Sequence, residues 1–314
     1  MMTNSTINFE EKFNELQDEF SGKQKRILVN SALKVYFGIT KDGYLRISFM
    51  STIKPLNLES TKDLKISLGQ ESEDVYWTCF DLLNSNASKV FYSFCEDLVE
   101  AVTYKFDETE ALVELKNRYY AWKMMFKNKK QMPSESNQGL YGELYFMDNY
   151  MLNKYNSIDA IRSWSGPNKS SKDFSIENEW YEVKTILSSS LTIKISSISQ
   201  LSSLTPGNLV VVKIDRMSDK YKDGYSDIYD LFRSIMFKIT DNETKEVFIE
   251  KLIKYGFDFE NNSNIEKYKF MNISFYKIDD AFPRLKESDV KYQEIGKVTY
   301  ELLLNTLDKY KKDV

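Results

Sequence analysis

The sequence predicts an α/β (α+β) chain in two parts. A strand-rich N-terminal domain plus helices occupies residues 1–130, and a second domain at 131–314 has a strand-rich centre flanked by helices. Three observations carry this reading. Short β-branched or aromatic runs separated by turn residues fill positions 25–80. Helix-like and strand-like patterns alternate after residue 139. Apolar residues make up 42% of the chain while Gly and Pro number only 11 and 5, which suits a packed core rather than a disordered chain.

Taken in order, residues 6–22 read as a short polar helix. RILVNSALKVYFGIT, GYLRISFMST, DLKISLGQ and VYWTCFDLL read as strands of a small, mainly antiparallel sheet, broken by KDG, NLES and ESED. Helical spacing follows across 87–130 in SKVFYSFCEDLVEAVT and ETEALVELKNRYYAWKMMFKNKK. The polar segment at 131–139, punctuated by Pro133 and Gly139, is the expected domain boundary. GLYGELYFMDNYMLNKY (139–155) is a helix, and DFSIENEWYEVKTI (173–186) is a hairpin turning at Asn178 and Glu179. LTIKIS and NLVVVKID are strands, SDIYDLFRSIMFKIT and ETKEVFIEKLIKYG are amphipathic helices, and KYKFMNISFYKID is a late strand.

Composition narrows the chemistry. The chain has no histidine, which removes Ser-His-Asp and Cys-His catalysis and every metal site needing an imidazole. Acid–base or metal chemistry must then run on carboxylates, lysine, tyrosine or water. Neither GxxxxGK[ST] nor GxGxxG occurs, so nucleotide-driven motors and dinucleotide enzymes are not expected. The formal charge of −4 argues against indiscriminate coating of nucleic acid, though a local basic groove can sit beside an acidic site. Two cysteines, Cys79 and Cys95, the lack of a basic-then-apolar leader and the lack of a span of roughly 20 apolar residues point to the cytoplasm, with no membrane partner.

The candidate site starts at Glu182-Val183-Lys184. In a strand, Trp180, Glu182, Lys184 and Ile186 share one face, so a carboxylate and an ammonium stand side by side in an apolar run. An acid-x-Lys triplet occurs at least six times in this chain, so the triplet alone means little. Context singles out this copy, because the hairpin lets Asp173 approach Glu182. Two converging carboxylates repel unless a cation joins them, and a hard divalent ion suits all-oxygen ligands. Lys184 would then orient a water and offset charge on phosphorus.

Glu143 falls inside the apolar stripe of Leu140, Leu144, Met147 and Met151. Either a buried Lys or Tyr partners it, or it is a further metal or water ligand. Gly139 and Gly142 would let its helix pack closely on the sheet. Gln200 is either an ordinary polar residue or a contact to substrate phosphate or the attacking water.

These residues resemble the PD-(D/E)XK nuclease superfamily, with an acid on a helix, a carboxylate on one strand and acid-x-Lys on the next. More narrowly the chain resembles a bacterial family of PD-(D/E)XK motif proteins from restriction and phage-defence loci. The matching blocks are GLYGELYFM, WSGP (164–167), KDF (172–174), YEVKT (181–185), ISSISQL (195–201), AFPRL (281–285) and VTYELLL (298–304). The resemblance implies a restriction-endonuclease-like core of mixed sheet flanked by helices and hydrolysis of DNA phosphodiesters with Mg²⁺, for which Mn²⁺ can substitute. It assigns Asp173, Glu182, Lys184, Glu143 and Gln200 to the active site, with Asp173, Glu182 and Glu143 on the metal. Lys172 stands where the nominal motif has proline.

The expected partners are DNA and other subunits of a defence system, with a homodimer fitting double-strand cutting. Rival readings are a non-cleaving DNA-binding or scaffold subunit and a repair or recombination nuclease. The candidate phosphate groove is Lys116, Arg118, Lys123, Lys127, Lys129 and Lys130, interleaved with Tyr119, Tyr120, Trp122 and Phe126, or else a solvated helix face. The N-terminal sheet either reads DNA bases or binds a partner subunit. Arg284 is read as structural, beside core anchors Phe282 and Leu285.

Overall fold

A computed structural model describes residues 7–16, 21–125, 134–168, 170–203, 205–218, 224–257, 266–292 and 294–312. The chain forms two compact units: residues 1–131 with 256–264, and residues 132–255 with 265–314. Among the described residues no helix is long and apolar enough to cross a membrane.

In the first unit, α1 (Phe9–Asn14) is capped by Asn8, whose side chain accepts from the Glu11 N–H at 3.2 Å. The helix is not wholly polar, because it buries Phe9 and Phe13 against Phe37. Strands β1 (Lys23–Ile27), β2 (Lys34–Ile39), β3 (Leu45–Ser51), β4 (Leu64–Ser72) and β5 (Val75–Leu82) make an antiparallel sheet in the order β1-β2-β3-β5-β4. Its alternation sends Val35, Phe37, Ile47, Phe49 and Phe80 into the core. Helices α2 (Ser88–Val102) and α3 (Glu108–Met125) complete that core, with Phe94 packed on Phe80 and Trp122.

Two members of the candidate phosphate groove, Arg118 and Lys123, are held in structural ion pairs within this unit. Arg118 is buried with Asp97 at 3.2 Å, and Trp122 donates to the same carboxylate at 2.7 Å. Lys123 pairs with Glu59 at 2.7 Å, and Tyr119 donates to the Glu59 carbonyl. Phe126, Lys127, Lys129, Lys130 and Pro133 lie outside the described residues. Replacing Arg118 by Met should therefore strand a buried carboxylate and cost about 3–5 kcal/mol, read as a lower thermal midpoint.

In the second unit, α4 (Ser134–Phe146) already runs through the segment expected as a boundary. It continues as a π-helical turn, Met147–Met151, and a last turn, Leu152–Lys154. After α5 (Ser157–Ser163) come β6 (Phe174–Ile176) and β7 (Glu179–Leu187), turning at Glu177 and Asn178, one residue earlier than expected. Glu177 takes the left-handed turn conformation, φ +49°. Then follow β8 (Thr192–Ile195), β9 (Gly207–Met217), α6 (Ile228–Lys238), α7 (Asn242–Tyr255), β10 (Lys267–Ile278), β11 (Tyr300–Leu303) and β12 (Lys311–Lys312).

The main sheet has the order β12-β10-β9-β7-β6 and is mixed: β7 and β9 run parallel, the other pairs antiparallel. One face packs on α4, through Phe146 against Phe174, Tyr181 and Phe275. A bulge in β10 between Phe270 and Asn272 resets the alternation, so Phe270 and Phe275 both reach the α4 side. The opposite face, with Trp180, Leu209, Val211 and Tyr276, is closed by the two-stranded β8–β11 sheet and its turns rather than by a helix. Gly142 is the point of closest approach: a Cβ there would lie 1.7 Å from Thr185 Oγ1. Gly139 has more room, 3.5 Å from the Tyr255 hydroxyl.

Candidate active site

Three elements bring the site together. The β6–β7 register pairs Phe174 with Tyr181, so its next step places Asp173 opposite Glu182. Asp173 Oδ2 accepts the Val183 N–H at 2.8 Å, while the Asp173 carbonyl accepts the N–H groups of Ser165 and Gly166. The residue is thus fixed at the point where β6 begins.

Glu182 is 1% exposed. Its Oε1 accepts from Lys184 Nζ at 2.7 Å, and its Oε2 is buried with no hydrogen-bond partner among the described residues. Burial, then the charge of Asp173, pushes its pKa up to about 8 against the opposing pull of Lys184 and Lys172. Burial likewise raises Asp173, opposed by Lys184, the Val183 N–H and Lys172.

Glu143 points inward, as its place in the stripe implies, and is 7% exposed. Trp164 Nε1 donates to its Oε2 at 2.7 Å and the Tyr255 hydroxyl to its Oε1 at 2.9 Å. Burial, with Asp173 and then Glu182 adding charge repulsion, holds its pKa well above the carboxylate range despite those two donors. Gly166 leaves the room, since a Cβ there would lie 2.4 Å from Glu143 Oε2. Glu143, Asp173 and Glu182 therefore feel one another electrostatically. Even so, no three acid or thiol side chains among the described residues form a ready metal cage.

Two lysines frame the site: Lys172, buried, which the sequence marks only as standing at the motif's proline position, and Lys251, half-buried, which no motif marks. Lys172 Nζ donates to the carbonyls of Ser199 (2.7 Å), Gln200 (2.7 Å) and Ser202 (3.0 Å) and lies 4.0 Å from the centre of the Trp180 ring. Desolvation lowers its pKa to about 8. Lys251 Nζ donates to the carbonyls of Ile161, Arg162 and Trp164, closing the C-terminus of α5. One turn on, Tyr255 reaches Glu143, so α7 fixes both Trp164 and the carboxyl it serves. Lys172→Met should unlatch the 199–202 turn from Asp173 and cost about 2–3 kcal/mol in a denaturant melt.

Gln200 is less central. Its Oε1 accepts the Ser196 N–H at 2.8 Å and closes its own turn, Ile198–Gln200. Its carbonyl, not its side chain, ties to Lys172. Arg284 has the structural role expected, donating to the Leu201 carbonyl at 2.7 Å beside buried Phe282.

A family model described as "Putative PD-(D/E)XK family member, (DUF4420)" matches residues 9–305. The chain belongs to this DUF4420 family. No curated protein and no solved structure matches it. For a DUF4420 chain the mixed sheet with its flanking helices is the expected core, and the Asp173, Glu182 and Lys184 positions fall inside the match. The carboxylate pair also passes a chemical test for a divalent cation. It offers hard oxygen donors on adjoining strands, one buried oxygen without a partner, and raised pKa values that a nearby positive charge would relieve.

Proposed function

We propose that this chain is a metal-dependent endonuclease that hydrolyses DNA phosphodiester bonds, acting in a bacterial restriction or phage-defence system. The observation that carries the reading is Glu182: a buried carboxylate with one orphaned oxygen, opposite Asp173 and bonded to Lys184. Asp173 and Glu182 would hold a hard divalent cation, Mg²⁺ or Mn²⁺, which would supply the positive charge that polarises a scissile phosphate and activates water.

The chain's own groups do the rest. Lys184 spends one donor on Glu182 and keeps two N–H donors for a phosphate oxygen or the attacking water. Asp173 is held in place by the Val183 N–H, so its carboxylate needs no reorganisation. Each Glu143 oxygen keeps a second lone pair while Trp164 and Tyr255 fix it, so Glu143 can add a ligand or hold a water. Gln200 contributes through the turn that Lys172 anchors. DNA is the proposed partner, and two copies acting together suit cutting of both strands.

Incubation with supercoiled plasmid and Mg²⁺ should give nicked or linear product, and EDTA should stop it. A protein that binds neither Mg²⁺ nor Mn²⁺ by calorimetry and leaves duplex, nicked and single-stranded DNA intact overturns the reading in favour of a non-cleaving subunit.

A further inference from the structure

The outward face of the N-terminal sheet carries a second constellation. Register and alternation put Arg26, Lys34, Tyr36, Lys65, Gly69 and Trp77 on the face away from the Phe37–Phe49–Phe80 core. Ser48 and Cys79 lie at its middle, bonded to each other and buried beneath taller neighbours. Tyr36 and Trp77 stand side by side, ring centroids 5.1 Å apart at 61°. The Trp77 indole N–H donates to Glu71 at 2.8 Å, which fixes the ring plane. Directly across from Trp77, on the edge strand β4, stands Gly69. A Cβ at Gly69 would meet only the Trp77 Cβ, at 3.9 Å, so that flank of the indole is open. Glycine inside a strand weakens it and marks a bulge or a close approach by a ligand or backbone; here the register shift between Gln70 and Ser72 follows directly.

Charge points to the same kind of partner. Arg26, Lys34 and Lys65 are exposed and make no ion pair among the described residues, while Asp81 on this face is engaged with Arg46 at 2.5 Å and Glu71 with the indole. Unpaired cations around a fixed aromatic pair on a sheet suit a phosphate backbone with accessible bases. A duplex hides its base faces and would use only the cations.

We infer that this face binds a single nucleic-acid strand, stacking a base on Trp77 and Tyr36 and placing phosphates on Arg26, Lys34 and Lys65. The inference takes from the proposed function only that the protein handles nucleic acid, and it needs no cleavage. The test is fluorescence anisotropy of a labelled oligothymidine in EDTA, where cutting is absent. Relative to wild type, Trp77→Ala should bind about tenfold more weakly and Trp77→Phe close to wild type. Arg26→Glu and Lys34→Glu should weaken binding and flatten its salt dependence. Unchanged binding by Trp77→Ala with an unchanged thermal midpoint, or tighter binding of blunt duplex than of the strand, overturns the inference. Strand binding by a protein that never cuts would overturn the nuclease reading and leave this one standing.

Discussion

Glu182→Gln should stabilise the metal-free protein at pH 8 while abolishing metal-dependent cleavage. The stability effect follows from the buried carboxyl, whose pKa stands at about 8 against an ordinary 4.5. Between those values the folded protein keeps a proton that the unfolded chain has lost, so folding stability falls as pH rises through that window. Each unit separating the two pKa values is worth about 1.4 kcal/mol, which makes the expected loss a few kcal/mol by pH 8. The glutamine keeps an acceptor for Lys184 and has no charge to bury, so the variant should lack most of this slope. Thermal midpoints in EDTA from pH 5.5 to 8.5 check it, and superimposable profiles for the two proteins would sink the account of Glu182. Activity should move the other way, by at least about a hundredfold, because a neutral amide no longer helps hold the cation at the phosphate.

Gly142→Ala is the second large effect, and it acts on the scaffold. The new Cβ would meet Thr185 at 1.7 Å (Oγ1), 2.9 Å (Cβ) and 3.1 Å (Cγ2), so no rotamer of Thr185 clears it. Helix α4 must shift off β7, at a cost of about 1–3 kcal/mol or more. Glu143 is the next residue, so the shift also strains its bonds to Trp164 and Tyr255. Thr185→Ala removes the two atoms beyond Cβ and should restore part of the lost stability. Chemical denaturation of the two single variants and the double variant measures the coupling. Additive losses would show that the two residues do not oppose each other.

The parts of this structure that sequence revealed are those built from near neighbours. Asp173 and Glu182 meet through a two-residue turn, and strand alternation alone separates the Trp180 face from the Tyr181 face. Glu143 showed itself by breaking an apolar stripe, and Gly142 by lying on that helix. What stayed hidden depends on distant partners. Tyr255 reaches Glu143 across 112 residues, and no local pattern announces it. Lys172 looks like any surface lysine until three carbonyls close over it. The same blindness counted Arg118 and Lys123 among groove cations, because the acids they take lie 21 and 64 residues away. The start of α4 at Ser134 was masked by a polar sequence that reads as linker.

The most direct measurement is plasmid hydrolysis in Mg²⁺ by wild type, Glu182→Gln and Lys184→Ala, each confirmed folded by its thermal midpoint. A hydrolytic centre at Asp173, Glu182 and Lys184 predicts Mg²⁺-dependent cutting by wild type and at least about a hundredfold loss in both variants. Cutting by either variant at the wild-type rate would contradict it.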